Sequence, residues 1–201
     1  MINIWNRNRE NFKFYLNSPV PLELEQKLDA IVSACPIQAH PRPKVQIFKA
    51  DSDDRSTKEL LSRYRFKNNS TGKNEVAPMT APLVYFCCQG DGEYAKDRQH
   101  ACIMGGAMMA ETLNAGYDFS FIGCTESVTD LQLDEINNHL QEKYGITHRV
   151  RAPFLAFCIG IGERSYGLKD YRLEDGTTVP YDANIYDDAP KPKILYTKTH
   201  C

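Results

Sequence analysis

The 201-residue chain has a single tryptophan, no long apolar run and no excess of either charge. Lys and Arg number 24 against 26 Asp and Glu, a net charge of -2. That balance removes the electrostatic case for nucleic acid or an anionic membrane as the main partner. No stretch approaches the roughly 20 apolar residues of a membrane span. Asn3, Asn6, Arg7, Asn8, Arg9 and Glu10 break up any leader-peptide core after Met1. A cytoplasmic protein is expected. Walker, G-x-S-x-G and H-E-x-x-H signatures are all missing. Gly160-Ile161-Gly162 has Ser165 where a dinucleotide fingerprint needs its third glycine, and reads as a strand end. The seven cysteines include no C-x-x-C spacing, and the five histidines show no ligand spacing, so no metal site is expected. Cys87, Cys88, Cys102 and Cys158 lie in apolar runs and are expected to be buried, reduced thiols.

What the chain does have is a stretch from Ala101 to Cys124 that looks central. Ala101 to Ala110 carries no charge, and a helix apolar all round must be buried on every side. Gly105 and Gly106 each weaken such a helix by about 1 kcal/mol against Ala, so something is expected to approach its backbone closely. Gly116 supplies a stop. Tyr117, Phe119 and Phe121 then alternate with Asp118, Ser120 and Ile122 as a strand ending at Gly123-Cys124.

Elsewhere, Leu24, Leu28, Ile31, Val32 and Cys35 repeat at helical spacing before Pro36. Val45, Ile47 and Phe48 mark a strand, and Ser56-Thr57-Lys58-Glu59 reads as a capping box opening a short helix. Ala81 to Cys88 is a strand apolar on both faces. Thr129 and Gln132 cap a helix lined by Leu133, Ile136, Leu140 and Tyr144 and closed by Gly145, after which Val150 to Ile161 is another apolar strand. A last short strand is expected over Ile194, Leu195 and Tyr196. Irregular alternation of strands and helices without repeats indicates one α+β or mixed α/β domain over residues 1–201, a central mixed sheet flanked by helices.

Several segments together resemble the nitroreductase family of flavin enzymes. Arg9-Glu10-Asn11-Phe12-Lys13-Phe14-Tyr15 is similar to the family's opening R-x-S-x-R/K-x-F/Y pattern, with Asn11 at the serine position. Pro36-Ile37-Gln38-Ala39-His40-Pro41-Arg42-Pro43-Lys44 stands where the family has P-S-x-x-N-x-Q-P-W, keeping the prolines and replacing the polar side chains and the tryptophan. The buried helix running into a strand and a small loop at Ile122-Gly123-Cys124 resembles the flavin-facing part of the family. Lys191-Pro192-Lys193 resembles its C-terminal basic pair.

The resemblance implies FMN bound by distant segments. Arg9, Lys191 and Lys193 would hold the phosphate, with Glu10 and Asn11 nearby, and Lys13 would lie against the pyrimidine edge of the ring. Backbone at Gly123 or Cys124 would donate towards N5, with Ile122 also counted in the cofactor site. The family's intimate homodimer would bring Pro36, Ile37, Gln38 and His40 from the other subunit. NAD(P)H and a small acceptor, a nitro compound or quinone, are the implied substrates. No side chain is singled out as a catalytic acid or base, because the flavin carries the chemistry. A flavin-cleaving or dehalogenating branch of the same scaffold, or a non-catalytic flavin-binding dimer, are the alternative expectations.

Overall fold

A computed structural model of the chain describes residues 13–35, 45–64, 76–90, 94–123, 128–151, 153–163, 171–172 and 178–179. The chain divides into two units, Met1–Gly167 and Leu168–Cys201. In the second, the described strands β7 (Tyr171–Arg172) and β8 (Thr178–Val179) pair as an antiparallel hairpin.

The first unit is built on a four-stranded sheet ordered β2 (Val45–Ala50), β3 (Leu83–Gln89), β5 (Pro153–Gly160), β4 (Asp118–Gly123). All three pairings are antiparallel, where a mixed sheet was expected. The α+β class itself is as expected. β3 and β5 are the inner strands and are covered on both faces, which is why they read as continuous apolar runs rather than alternating ones. On one face Val84, Phe86, Cys88, Ala156 and Cys158 pack beneath α2 (Arg55–Tyr64) and α5 (Asp130–Tyr144). On the other, Leu83, Tyr85, Cys87, Leu155, Phe157 and Ile159 meet α1 (Leu22–Ala34) and α4 (Tyr94–Asn114). The short α3 (Val76–Thr80), not expected from sequence, leads into β3. A separate two-stranded ladder joins β1 (Lys13–Phe14) to β6 (Gly162–Glu163), with Lys13 opposite Glu163.

Helix ends follow local chemistry. The box at Thr129 and Gln132 is formed on both sides, and Gly145 closes α5 in the left-handed region at φ 64°. At α2 the expected box is displaced. The helix starts at Arg55, so Asp54 sits at the cap and its Oδ1 accepts from the Thr57 backbone N–H at 3.1 Å, while Glu59 pairs with Arg55 instead. Polar ties then lock helices to the sheet. Tyr85 OH donates to Asp29 Oδ1 at 2.8 Å, and Lys49 Nζ donates to Asp29 and Glu25 of α1.

Two expectations about α4 need correction. It begins at Tyr94 rather than near Ala101, and it is not buried all round. Ala101, Met104, Gly105 and Met108 face the core, whereas Cys102, Gly106, Ala107 and Ala110 are exposed and Ile103 is 71% exposed. Cys102 is therefore not a core thiol, unlike Cys87, Cys88 and Cys158. The two glycines also separate. A β-carbon on Gly105 would stand 2.6 Å from Phe157 Cε1, so this glycine lets the helix settle onto the sheet of its own chain. A β-carbon on Gly106 would meet nothing within 4 Å.

Candidate functional site

Of the residues singled out in the sequence, Ile122 and Gly123 fall at the C-terminal end of β4. Strand alternation turns Phe119, Phe121 and Gly123 toward α4 and sends Ile122 to the other side. Phe119 is fully buried, Phe121 is 39% exposed with its ring 5.1 Å from that of Phe157, and Gly123 is exposed. Ile122 is a core residue, 6% exposed, among the apolar side chains under α2 and α5, so its side chain is turned away from the face that Gly123 presents.

Close seating at Gly105 determines what lies over this strand end. Seven residues are two helical turns, so Arg98 shares a face with Gly105. Gly105 rests over Phe157 and Phe121, and Arg98 comes down over Gly123. A β-carbon on Gly123 would stand 3.7 Å from Arg98 Nη2 and 4.0 Å from Leu155 Cδ2, ordinary contact distances. Gly123 is also outside the left-handed region, where only Gly116 and Gly145 are found among the described residues. Among the described residues, neither backbone conformation nor packing therefore requires glycine at 123. In the same turn of α4 as Arg98, His100 keeps Nδ1 buried with no hydrogen-bond partner among the described residues.

Lys13 stands elsewhere in the ladder system. It pairs with Glu163 just past the Gly160 end of β5, whereas Gly123 pairs with Leu155 near the beginning of that strand. The strand pairing thus sets Ile122 and Gly123 beside Ala156 and Leu155 and leaves Lys13 toward the opposite end of β5. Arg9, Glu10, Asn11, Pro36, Ile37, Gln38, His40, Cys124, Lys191 and Lys193 lie outside the described residues. Gly160 ends β5 as expected, and for a packing reason: a β-carbon there would meet Pro82 Cδ at 2.5 Å and Phe14 Cδ1 at 2.9 Å.

No family model matches the chain, and no curated protein matches it in sequence. Solved structures match it in fold. An FMN-dependent nitroreductase from Clostridium difficile R20291 superposes with a TM-score of 0.56 at 16% identity, covering 87% of this chain and 95% of that one. A nitroreductase family protein from Clostridium novyi NT gives 0.52 at 13% identity, covering 80% and 85%. Nitroreductase A from Vibrio parahaemolyticus gives 0.52 at 13%, covering 87% and 72%. The chain has the nitroreductase fold. Within that fold α4 and β4 are the elements the sequence foreshadowed in Ala101 to Cys124. The position of Arg98 beside Gly123 was not anticipated, because the helix was expected to begin after it and begins at Tyr94.

A second polar centre lies between α2 and α5 and serves the fold. Burial alone raises the proton affinity of Asp54, but bonds from Lys143, Tyr144 and the Thr57 backbone outweigh it and hold the carboxyl at about 2. Thr57 Oγ1 and His139 Nε2 are 2.8 Å apart in the same network, which gives His139 a partner that its sequence context did not reveal. Beside it is an open groove of about 660 Å³ lined in part by Glu59, Arg63, Asp134, Glu135 and His139.

Proposed function

We propose that the protein is an FMN-dependent oxidoreductase that takes two electrons from NAD(P)H and passes them to a small acceptor, a nitro compound or quinone. The observation that carries this is Gly123, an exposed glycine at the end of β4 that its described neighbours do not require. Gly in a strand weakens it unless another backbone or a ligand approaches closely. In the nitroreductase fold a flat ring seated against this peptide would find an N–H edge, the rim of Phe121 and the Arg98 guanidinium within reach. When bound, FMN supplies hydride acceptance and donation at N5, and the chain's own part is to seat the ring, exclude water and supply hydrogen bonds.

Further support comes from the outer face of α4. Ile103, Gly106, Ala107 and Ala110 form a small-residue stripe with an exposed isoleucine, a surface that a second copy could approach closely in an isologous dimer. In such a homodimer Pro36, Ile37, Gln38 and His40 would complete the partner's site, with Arg9, Lys191 and Lys193 on the phosphate.

The test is uptake of FMN by the purified chain, followed by anaerobic bleaching with NADH or NADPH. Wild type is expected to be yellow and to release FMN on denaturation. Gly123→Val is expected to keep the urea midpoint of wild type while losing FMN affinity, since the first carbon of the new side chain has room. A chain that takes up no FMN, or a valine variant that binds it equally well, would overturn the reading.

A further inference from the structure

Phe121 is a large apolar side chain that the fold holds still without covering. Its ring is 39% exposed, yet two neighbours confine it. Phe157 stands directly opposite in β5, with the two ring centroids 5.1 Å apart. Phe157 is itself fully buried and stacked on Phe119 at 5.8 Å, so it has nowhere to retreat. Above both rings, α4 comes so close at Gly105 that a β-carbon there would stand 3.0 Å from Phe121 Cε2. The next position on this face of β4 is Gly123, two residues and about 6.6 Å further along the strand. Its row is completed by the buried Leu155. A fixed ring followed by an exposed glycine makes a step, with Phe121 as the wall and the Gly123 peptide as the floor. An aromatic side chain left half in water gains when a flat apolar group packs against it. Held in place beforehand, it loses little conformational freedom when that group arrives.

We propose that Phe121 is the wall against which the flavin ring of FMN packs, and that Phe157 is a positioning residue that holds this wall through the cross-strand ring contact. The proposal rests on the flavin reading above and adds to it the apolar contact of the ring and the buried residue behind that contact.

The experiment uses the full chain and FMN. By calorimetry, Phe121→Ala is expected to bind FMN about ten-fold more weakly than wild type, the worth of one aromatic contact. Phe121→Tyr keeps the ring and is expected to keep the affinity while shortening the fluorescence lifetime of bound FMN. A phenol in contact with excited flavin gives it an electron that returns without emission, and a phenylalanine ring does not. Phe157→Leu is expected to weaken FMN binding in the wild-type background and to have no further effect in Phe121→Ala, because it acts only through the ring it holds. Phe157→Met serves the same cycle if the leucine variant does not fold. Unchanged affinity in Phe121→Ala, or an unchanged lifetime in Phe121→Tyr, overturns the wall. Equal loss from Phe157→Leu in both backgrounds is what general loosening of the fold gives, and it overturns the positioning role. Failure of wild type to take up FMN overturns the flavin reading and this proposal together, whereas uptake that is indifferent to Phe121 overturns the proposal alone.

Discussion

Replacing the two adjacent glycines of α4 by alanine should move stability in opposite directions. Each substitution gains about 1 kcal/mol of helix propensity. At Gly105 the new methyl would stand 2.6 and 2.8 Å from Phe157 Cε1 and Cζ and 3.0 Å from Phe121 Cε2. Carbon atoms prefer about 3.5–4.0 Å, so roughly 1 Å of relief is needed. Phe157 cannot supply it cheaply. It is fully buried, stacked on Phe119 at 5.8 Å and held against Phe121 at 5.1 Å. Overpacking of this kind costs about 1–3 kcal/mol, and the confinement of Phe157 argues for the upper half, so Gly105→Ala is expected to lose about 1–2 kcal/mol net. Gly106→Ala meets nothing within 4 Å and keeps its propensity gain. The expected gap is about 2–3 kcal/mol, or about 4–12 °C in Tm for a chain of this size. Urea unfolding at low protein concentration, which avoids any contribution from association at Gly106, measures it. If Gly105→Ala is as stable as Gly106→Ala, the helix does not sit at the height described. The placement of Arg98 over Gly123, which depends on that height, would fall with it.

Asp54→Ala strips partners from Lys143, Tyr144 and the Thr57 N–H at once and is expected to cost about 3 kcal/mol in urea unfolding. Because the folded-state value of Asp54 lies below the ordinary 3.8, its contribution is complete above about pH 4 and is lost as pH falls toward 2; wild type and Asp54→Asn should therefore converge in acid. Lys58 is 1% exposed, donates to the Ala81 carbonyl at 2.8 Å, and is pulled below its ordinary value by burial. Wild type should gain stability relative to Lys58→Met as pH rises from that lowered value toward 10.5, and parallel profiles would refute the burial argument. Ile103→Glu should shift sedimentation toward the monomer without lowering the urea midpoint of the monomer, and an unchanged assembly would remove the outer face of α4 from the dimer proposal.

Much of the fold was legible because the period of the apolar pattern and the caps agreed. β3 and β5 were visible as continuous apolar runs, since both faces of each are covered, and α5 was visible from Thr129 to Gly145 because cap, inner face and stop are all local. The α2 start was misplaced by a competition that sequence alone does not resolve. Ser56 and Thr57 can both cap, but Asp54, drawn into position by Lys143 and Tyr144 from the far end of α5, supplies the oxygen instead. Such a long-range choice leaves no trace in a local pattern. α3 was hidden for a local reason, since Pro78 lies inside its five residues.

The surroundings of the candidate site were harder to read than the fold, and α4 explains why. Counting Gly, Ala and Cys as apolar made the helix look buried on every side, yet these are small residues that expose little apolar area wherever they stand. A run of them is equally compatible with a core and with a surface awaiting a close partner. What separates the two is the space around each residue: Phe157 fills it at Gly105, and the chain leaves it open at Gly106 and allows an ordinary β-carbon at Gly123. Glycine costs about 0.5–1 kcal/mol in a regular element, so a glycine whose own chain explains nothing marks a place where a second molecule offsets that cost. By that reasoning Gly105 belongs to the fold, while Gly106 and Gly123 are where the proposed second copy and the proposed flavin ring would approach.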